Sequence, residues 1–300
     1  MNKKKKTSME NRVFNIINIS FFILLSVICI YPFYYIIINS ISDSQLVNTG
    51  RINFFAKGIH FENYKKVFEL KTLSNAAKIS VLRTIIGTSL TVFISSIAGY
   101  IFSRPEVWHR KFFFRLIFLP GYISAGMIAG FINIRNLGLM NNFLVYILPG
   151  AFNSYFMILI KTYIESGIPP SLEEAAYIDG ASYIKRYLQI VMPICKPILA
   201  TCAIFAAVGQ WNSFMDTVLY CSRSSLQTLQ SILYQFMNQA ENLANMMKDG
   251  NLQIIDLSKV ITPAAIRYTV TTVTVLPILM VYPFFQKYFT KGIMLGAVKG

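Results

Sequence analysis

The chain has 300 residues, 54% of them hydrophobic and only 14% charged, with a mean hydropathy of +0.50. Soluble domains carry about 25% charged residues, so this composition excludes an ordinary soluble domain and indicates a membrane protein. The net charge of +15, from 28 Lys and Arg against 13 Asp and Glu, would suit a nucleic-acid binder. Many of the charges flank apolar runs, however, which is the positive-inside pattern, and no nucleic-acid partner is expected.

Met1 to Arg12 is a basic start with Lys3, Lys4, Lys5 and Lys6. The apolar run at 13–38 is too long for a signal-peptide core and lacks a small-x-small cleavage site. Roughly 20 apolar residues cross a bilayer, so it reads as an uncleaved first span, kinked at Pro32, with a cytoplasmic amino terminus. Residues 39–75 would then lie outside. Within them Phe61, Tyr64 and Phe68 share one helical face of FENYKKVFEL, as in a helix lying on a membrane surface. The five Lys and Arg of this segment run against the positive-inside trend.

The core is expected over 76–286. Its second span, 79–102, carries Arg83 and the small residues Ser95, Ser96, Ala98 and Gly99, which permit close helix packing in lipid. The loop with Arg104, His109, Arg110, Lys111 and Arg115 has a cytoplasmic signature. A third span at 112–132 is broken by Pro120-Gly121, and a fourth at 142–164 contains Pro149-Gly150.

A polar loop, 169–193, follows. Pro169 and Pro170 fix an extended approach; Ser171 is predicted to cap a helix, with Glu174 completing a capping box. The helix runs over Leu172–Asp179 and stops at Gly180, where a left-handed residue is needed. Ser182 starts a second helix that ends near Pro193. The fifth span is predicted at 194–220. Residues 221–263 form a second outer segment, with Leu226, Leu229, Ile232, Leu233 and Phe236 at helical spacing. The sixth span is 264–285, and the basic tail 287–300 belongs in the cytoplasm.

Glu174-Ala175-Ala176, Asp179-Gly180-Ala181 and Ile190-x-x-Pro193 together resemble the EAA loop of permease subunits of bacterial ABC importers. The ending PILMVYPFFQKYFTKGIMLGAVKG resembles the carbohydrate permeases of the maltose-type second-subunit family, in the LplC/YtcP-like branch. The resemblance implies an all-α membrane protein with six transmembrane helices and a cytoplasmic coupling helix, the type I ABC importer permease fold. It implies a non-enzymatic subunit that moves a sugar or oligosaccharide. The implied partners are a second permease subunit, an ABC ATPase dimer and an extracytoplasmic sugar-binding lipoprotein. Glu174, Ala175, Ala176, Asp179, Gly180, Ala181 and Pro193 are the ATPase-coupling residues so implied, with a weaker assignment to Lys291, Gly292 and Gly296 in the tail. A permease for a non-sugar solute and a self-sufficient secondary transporter are the alternatives.

The residues themselves fit a passive subunit. No GxxxxGK[ST] run is present, so ATP and Mg are expected on the partner ATPase and no cofactor on this chain. Cys29, Cys195, Cys202 and Cys221 lie in or beside apolar segments, with His60 and His109 the only histidines; their spacing matches no zinc site, and neither a metal nor a catalytic residue is expected. Polar groups inside spans face a cavity or a neighbouring helix. In the fifth span Trp211, Asn212 and Asp216 are candidates for a sugar pathway, an apolar ring face beside hydrogen-bonding groups. The competing use is helix-to-helix bonding of Asn212 and Asp216, with Arg267 as partner. Thr269, Thr271, Thr272 and Thr274 read as helix packing.

Overall fold

The computed structural model describes residues 9–69, 71–123, 125–248 and 264–297, with side chains for these apart from residues 9, 10, 66, 122, 240–248 and 281–297. The lysines at 3–6, much of the second outer segment and the last three residues lie outside the described residues, as do the side chains of Lys291, Gly292 and Gly296. Every regular element among the described residues is helical. The chain divides into two compact units, 1–69 with 236–273 and 70–235 with 274–300.

In the first unit, helix α1 (Met9–Ser40) runs unbroken through Pro32. It is exposed along most of its length and becomes buried only at Ile38, Asn39 and Ser40. There it packs with Val47 of α2 (Ser44–Asn48), Ile52 and Ala265. Asp43 caps α2 by accepting from the Gln45 and Leu46 amides. The amphipathic stretch forms α3 (Glu62–Glu69), burying Asn63 and Val67 and leaving Phe61 and Phe68 outside.

The second unit is built around α4 (Lys71–Ser103), which packs against α7 (Ser154–Gly167) and α11 (Lys196–Asn212). Its buried stripe is Arg83, Gly87, Thr91, Ser95, Gly99 and Ser103. A four-residue repeat keeps these on one helix face, and all but the first are small. The close approach this permits is direct: a Cβ on Gly99 would meet Ile160 Cβ at 3.1 Å and the Met157 carbonyl at 3.1 Å. Around the contact, Tyr100, Phe156, Ile160, Ile164, Tyr187 and Val191 fill the core. Ser96 and Tyr187 share a 2.5 Å hydroxyl–hydroxyl bond.

Three of the expected spans are interrupted. The third is α5 (Arg110–Phe118), a 3-10 turn Leu119–Tyr122 and α6 (Gly126–Asn136), parted where Pro120-Gly121 foretold. The fourth is a 3-10 turn Phe143–Tyr146, an irregular stretch through Pro149-Gly150, and then α7. Non-helical backbone at membrane depth needs internal partners, and it has them. Thr91 Oγ1 donates to the Gly150 carbonyl at 2.6 Å, and the Asn153 amide donates to Ser95 Oγ at 3.0 Å. At the start of the fifth, an 80° corner at Cys195 separates the stretch Tyr183–Ile194, which the sequence assigns to the polar loop as far as Pro193, from α11. The span breaks at Ser213-Phe214 before α12 (Met215–Tyr220). By length and composition α1 and α4 can each cross a membrane, and up to four spans result if each bent pair counts as one. The chain then forms α13 (Leu229–Lys248) and α14 (Ala264–Ala297), the latter running on through the expected start of the tail. Thr269, Thr271 and Thr272 bond carbonyls four residues back in α14, which lets hydroxyls sit among apolar neighbours.

Arg83 ties these pieces together. It is 2% exposed, and its NH2 lies 2.5 Å from Asp216 Oδ2. NH1 donates to Asp216 Oδ1 and to the Ser213 carbonyl, both at 3.1 Å, and Nε donates to Gln210 Oε1 at 3.3 Å. The guanidinium carbon stands 4.5 Å from the Tyr146 ring centre. Asp216 therefore takes its cation from α4, not from Arg267. The break at Ser213 supplies one of the acceptors.

Two stability outcomes are expected. Arg83→Leu or Asp216→Leu alone leaves a buried charge unpaired and costs about 3–5 kcal/mol, whereas the double replacement recovers most of the loss; thermal unfolding of the four proteins in detergent measures this coupling. Gly99→Ile overpacks the α4–α7 contact and costs about 1–3 kcal/mol, read by the same assay.

Candidate coupling segment and membrane cavity

The polar loop forms α8 (Pro170–Ile178), a turn, and then α9 (Tyr183–Arg186). The start differs from the expected cap. Pro169 occupies the cap position and Pro170 the first turn, with no side-chain cap. A proline is preorganised for the first helical position, so the helix begins before Ser171, and the Ser171–Glu174 capping box does not form. The end follows expectation. Gly180 has φ +73°; its amide donates to the Tyr177 carbonyl at 3.0 Å, and the Ala181 amide to the Ala176 carbonyl at 2.9 Å. These two bonds are a Schellman stop. Ser182 caps α9, its Oγ accepting from the Lys185 amide at 3.4 Å. A π turn, Tyr187–Val191, and α10 (Met192–Ile194) continue to the corner at Cys195.

The two faces of α8 differ sharply. Glu173 and Ala176 are buried, while Glu174, Ala175, Asp179 and Gly180 are exposed, as is Pro193 further on; Ala181 is half-buried. Glu173 forms an ion pair with Arg104, just beyond the end of α4. Arg104 in turn lies over the Tyr100 ring, 4.9 Å from its centre. This anchor went unread in the sequence, where the motif directed attention to Glu174. A buried carboxylate requires a cation, and Arg104 was in view as a loop charge. Arg186 is also buried; its guanidinium carbon is 4.2 Å from the Tyr183 ring centre. These residues line a cavity of about 700 Å³ together with Glu106, Glu165 and Glu174. Tyr177 and Ile178, which also line it, are 67% and 84% exposed, and Ile184 is 72% exposed, with Leu172 and Tyr183 also exposed. Exposed apolar patches of this kind mark protein or membrane contacts.

The second feature is a cavity of about 500 Å³ lined by Arg83, Asn133, Tyr146, Asn153, Gln210 and Asp216, among others. Of the three pathway candidates only Asp216 faces it. Asn212 Oδ1 accepts from Gln230 Nε2 at 3.1 Å. Trp211 Nε1 donates to the Thr274 carbonyl at 2.9 Å, and its ring lines a separate apolar hollow with Val81, Ile204 and Pro277. The break after Asn212 turns Asp216 away from the helical register that the sequence alone implied.

The chain has extensive likeness to known proteins. Residues 79–295 match the family described as the binding-protein-dependent transport system inner membrane component. The chain is 31% identical over 292 residues to the polygalacturonan/rhamnogalacturonan transport system permease protein YtcP of Bacillus subtilis, covering 97% of this chain and 100% of that protein. It is 34% identical over 290 residues to the protein LplC of the same organism, covering 96% of each. Among solved structures, a chain of a bacterial ABC transporter involved in the import of the acidic polysaccharide alginate superposes with a TM-score of 0.82 at 28% identity, over 94% of this chain and 99% of that one. With the α4-centred membrane core and the anchored polar loop in place, these matches establish that the chain belongs to the binding-protein-dependent transport system inner membrane component family and is a non-catalytic permease subunit of an ABC importer.

Proposed function

We propose that this subunit imports an oligosaccharide, and that α8 is the lever through which an ATPase drives it. The observation that carries the lever is the two-sidedness of α8: Glu173 is held to the end of α4 by Arg104, while Glu174, Ala175 and Ile178 are left uncovered. A helix gripped on one side by its own core and open on the other transmits a push as a rigid body. The stop at Gly180 sets the angle to α9. The sugar class is supported by the relatives, whose names specify polygalacturonan, rhamnogalacturonan and alginate.

In this reading the spans are those of the sequence, six in number, with 76–286 as the core, the loop 169–193 in the cytoplasm and both termini on that side. The partners are a second permease subunit, an ATPase dimer that binds ATP and Mg, and an extracytoplasmic binding lipoprotein; the family's dependence on a binding protein is already in its description. Glu174, Ala175, Asp179 and Gly180 meet the ATPase directly. Ala176, Ala181 and Pro193 shape the surface from behind. Asp216, with Arg83, forms a polar wall of the sugar pathway; Trp211 and Asn212 hold α11 beside it. Docking that differs between open and closed ATPase biases the two states of the permease.

Glu174→Lys and Gly180→Asp should each abolish uptake while the protein still reaches the membrane. Nothing lies within 4 Å of a Cβ at Gly180, so that change costs only about 1–2 kcal/mol of backbone strain and spares the fold. Uptake of labelled oligosaccharide, with membrane content measured by immunoblot, checks both. Normal uptake by both variants would falsify the coupling role.

A further inference from the structure

The segment that follows α2 carries four large apolar side chains on its surface: Phe54 is 64% exposed, Phe55 76%, Ile59 64% and Phe61 67%. Its backbone is fastened alongside α1. Tyr34 Oη donates to the Phe54 carbonyl at 2.6 Å, and Tyr31 Oη to the Asn53 carbonyl at 3.2 Å. The Tyr31 and Phe54 rings lie 6.0 Å apart. Tyr34 is six residues before Ser40, about 9 Å short of the helix end at 1.5 Å per residue. Residues 53 and 54 therefore lie back along the span, while Lys57 and His60 pair with Asp43 and Ile41 just past its end.

The depth of that contact can be placed on α1. The apolar run 13–38 exceeds the roughly 20 residues that a span needs, so its last turns, from about Pro32, reach the interface. Tyr31, Phe33, Tyr34 and Tyr35 thus mark the boundary between hydrocarbon and headgroups, where aromatic rings concentrate. Phe54 is held at that level. At this depth Tyr31, Phe33 and Tyr34 are exposed, and the Tyr35 ring lies 5.8 Å from that of Tyr268.

We propose that residues 51–57 form an interfacial anchor, with Phe54 and Phe55 inserted among lipid acyl chains beside Tyr31 and Tyr34 of α1. Arg51, Lys57 and Lys65 are exposed in and beside the same segment and meet the lipid phosphates. The anchor accounts for the cations that contradict the positive-inside trend: they bind headgroups at the rim of an inserted apolar wedge. Naming this leaflet the outer one rests on the topology proposed above; the anchor itself does not.

The test is fluorescence quenching in nanodiscs of the co-purified transporter, using lipids brominated near the headgroup end of the acyl chain. Phe55→Trp is compared with Gln45→Trp, an exposed site on α2, and with the wild type, whose Trp108 and Trp211 supply the background. The expected result, after subtraction of that background, is several-fold stronger quenching in the Phe55→Trp variant than in the Gln45→Trp variant. Equal, weak quenching at both sites overturns the proposal and places the segment in water. Quenching seen with the isolated subunit but lost in the assembled transporter also overturns it, and assigns the surface to a protein partner. A reversed topology leaves the quenching unchanged and is detected separately, by labelling exposed cysteines from one side of sealed vesicles, so the two failures are distinguishable.

Discussion

A guanidinium buried at 2% exposure is the constraint around which the second unit is arranged. A charge removed from water costs several kcal/mol unless it is paired and its remaining donors are satisfied. Arg83 meets this demand by drawing on three places in the chain: Gln210 at the end of α11, the freed carbonyl of Ser213, and Asp216 at the start of α12. The break in the fifth span is thus part of the solution. An unbroken helix would keep the Ser213 carbonyl in its own ladder and would set Asp216 elsewhere around the axis. Tyr146 closes the remaining side with its ring face, a favourable contact for a desolvated cation.

The same helix that carries Arg83 reaches a second arginine beyond its other end. From Arg83 to Arg104 is 21 residues, so about 30 Å of nearly continuous helix at 1.5 Å per residue separates the two ion pairs. One pair closes on the cavity wall, the other on the base of α8. Between them the stripe of Gly, Thr and Ser residues holds α7 at close range. The polar cavity and the base of α8 are therefore attached to one stiff element and need no chain of flexible intermediates.

Local chemistry was legible in the sequence, and long-range pairing was not. Gly180 and Ser182 were readable because a left-handed stop and a hydroxyl cap depend on a few adjacent residues. The start of α8 was misread because serine and proline compete for the same boundary, and proline at the first helical position takes it. Composition alone marked Arg83 and Asp216 as polar groups in apolar runs, but they are 133 positions apart, and nothing local selects one partner over Arg267. Glu173 and Glu174 illustrate the same limit. Adjacent residues on a helix point about 100° apart, so one carboxylate turns inward and its neighbour outward, and only the burial of α8 decides which. The interruptions at Pro149-Gly150 and Ser213-Phe214 escaped because hydropathy counts apolar residues and is blind to carbonyls that side chains elsewhere can satisfy.

The 80° corner at Cys195 has a mechanical meaning. Because the two arms stand nearly at right angles, a force along Tyr183–Ile194 has almost no component along α11. A push along Tyr183–Ile194 would therefore act across the axis of α11, at whose far end Gln210 holds Arg83.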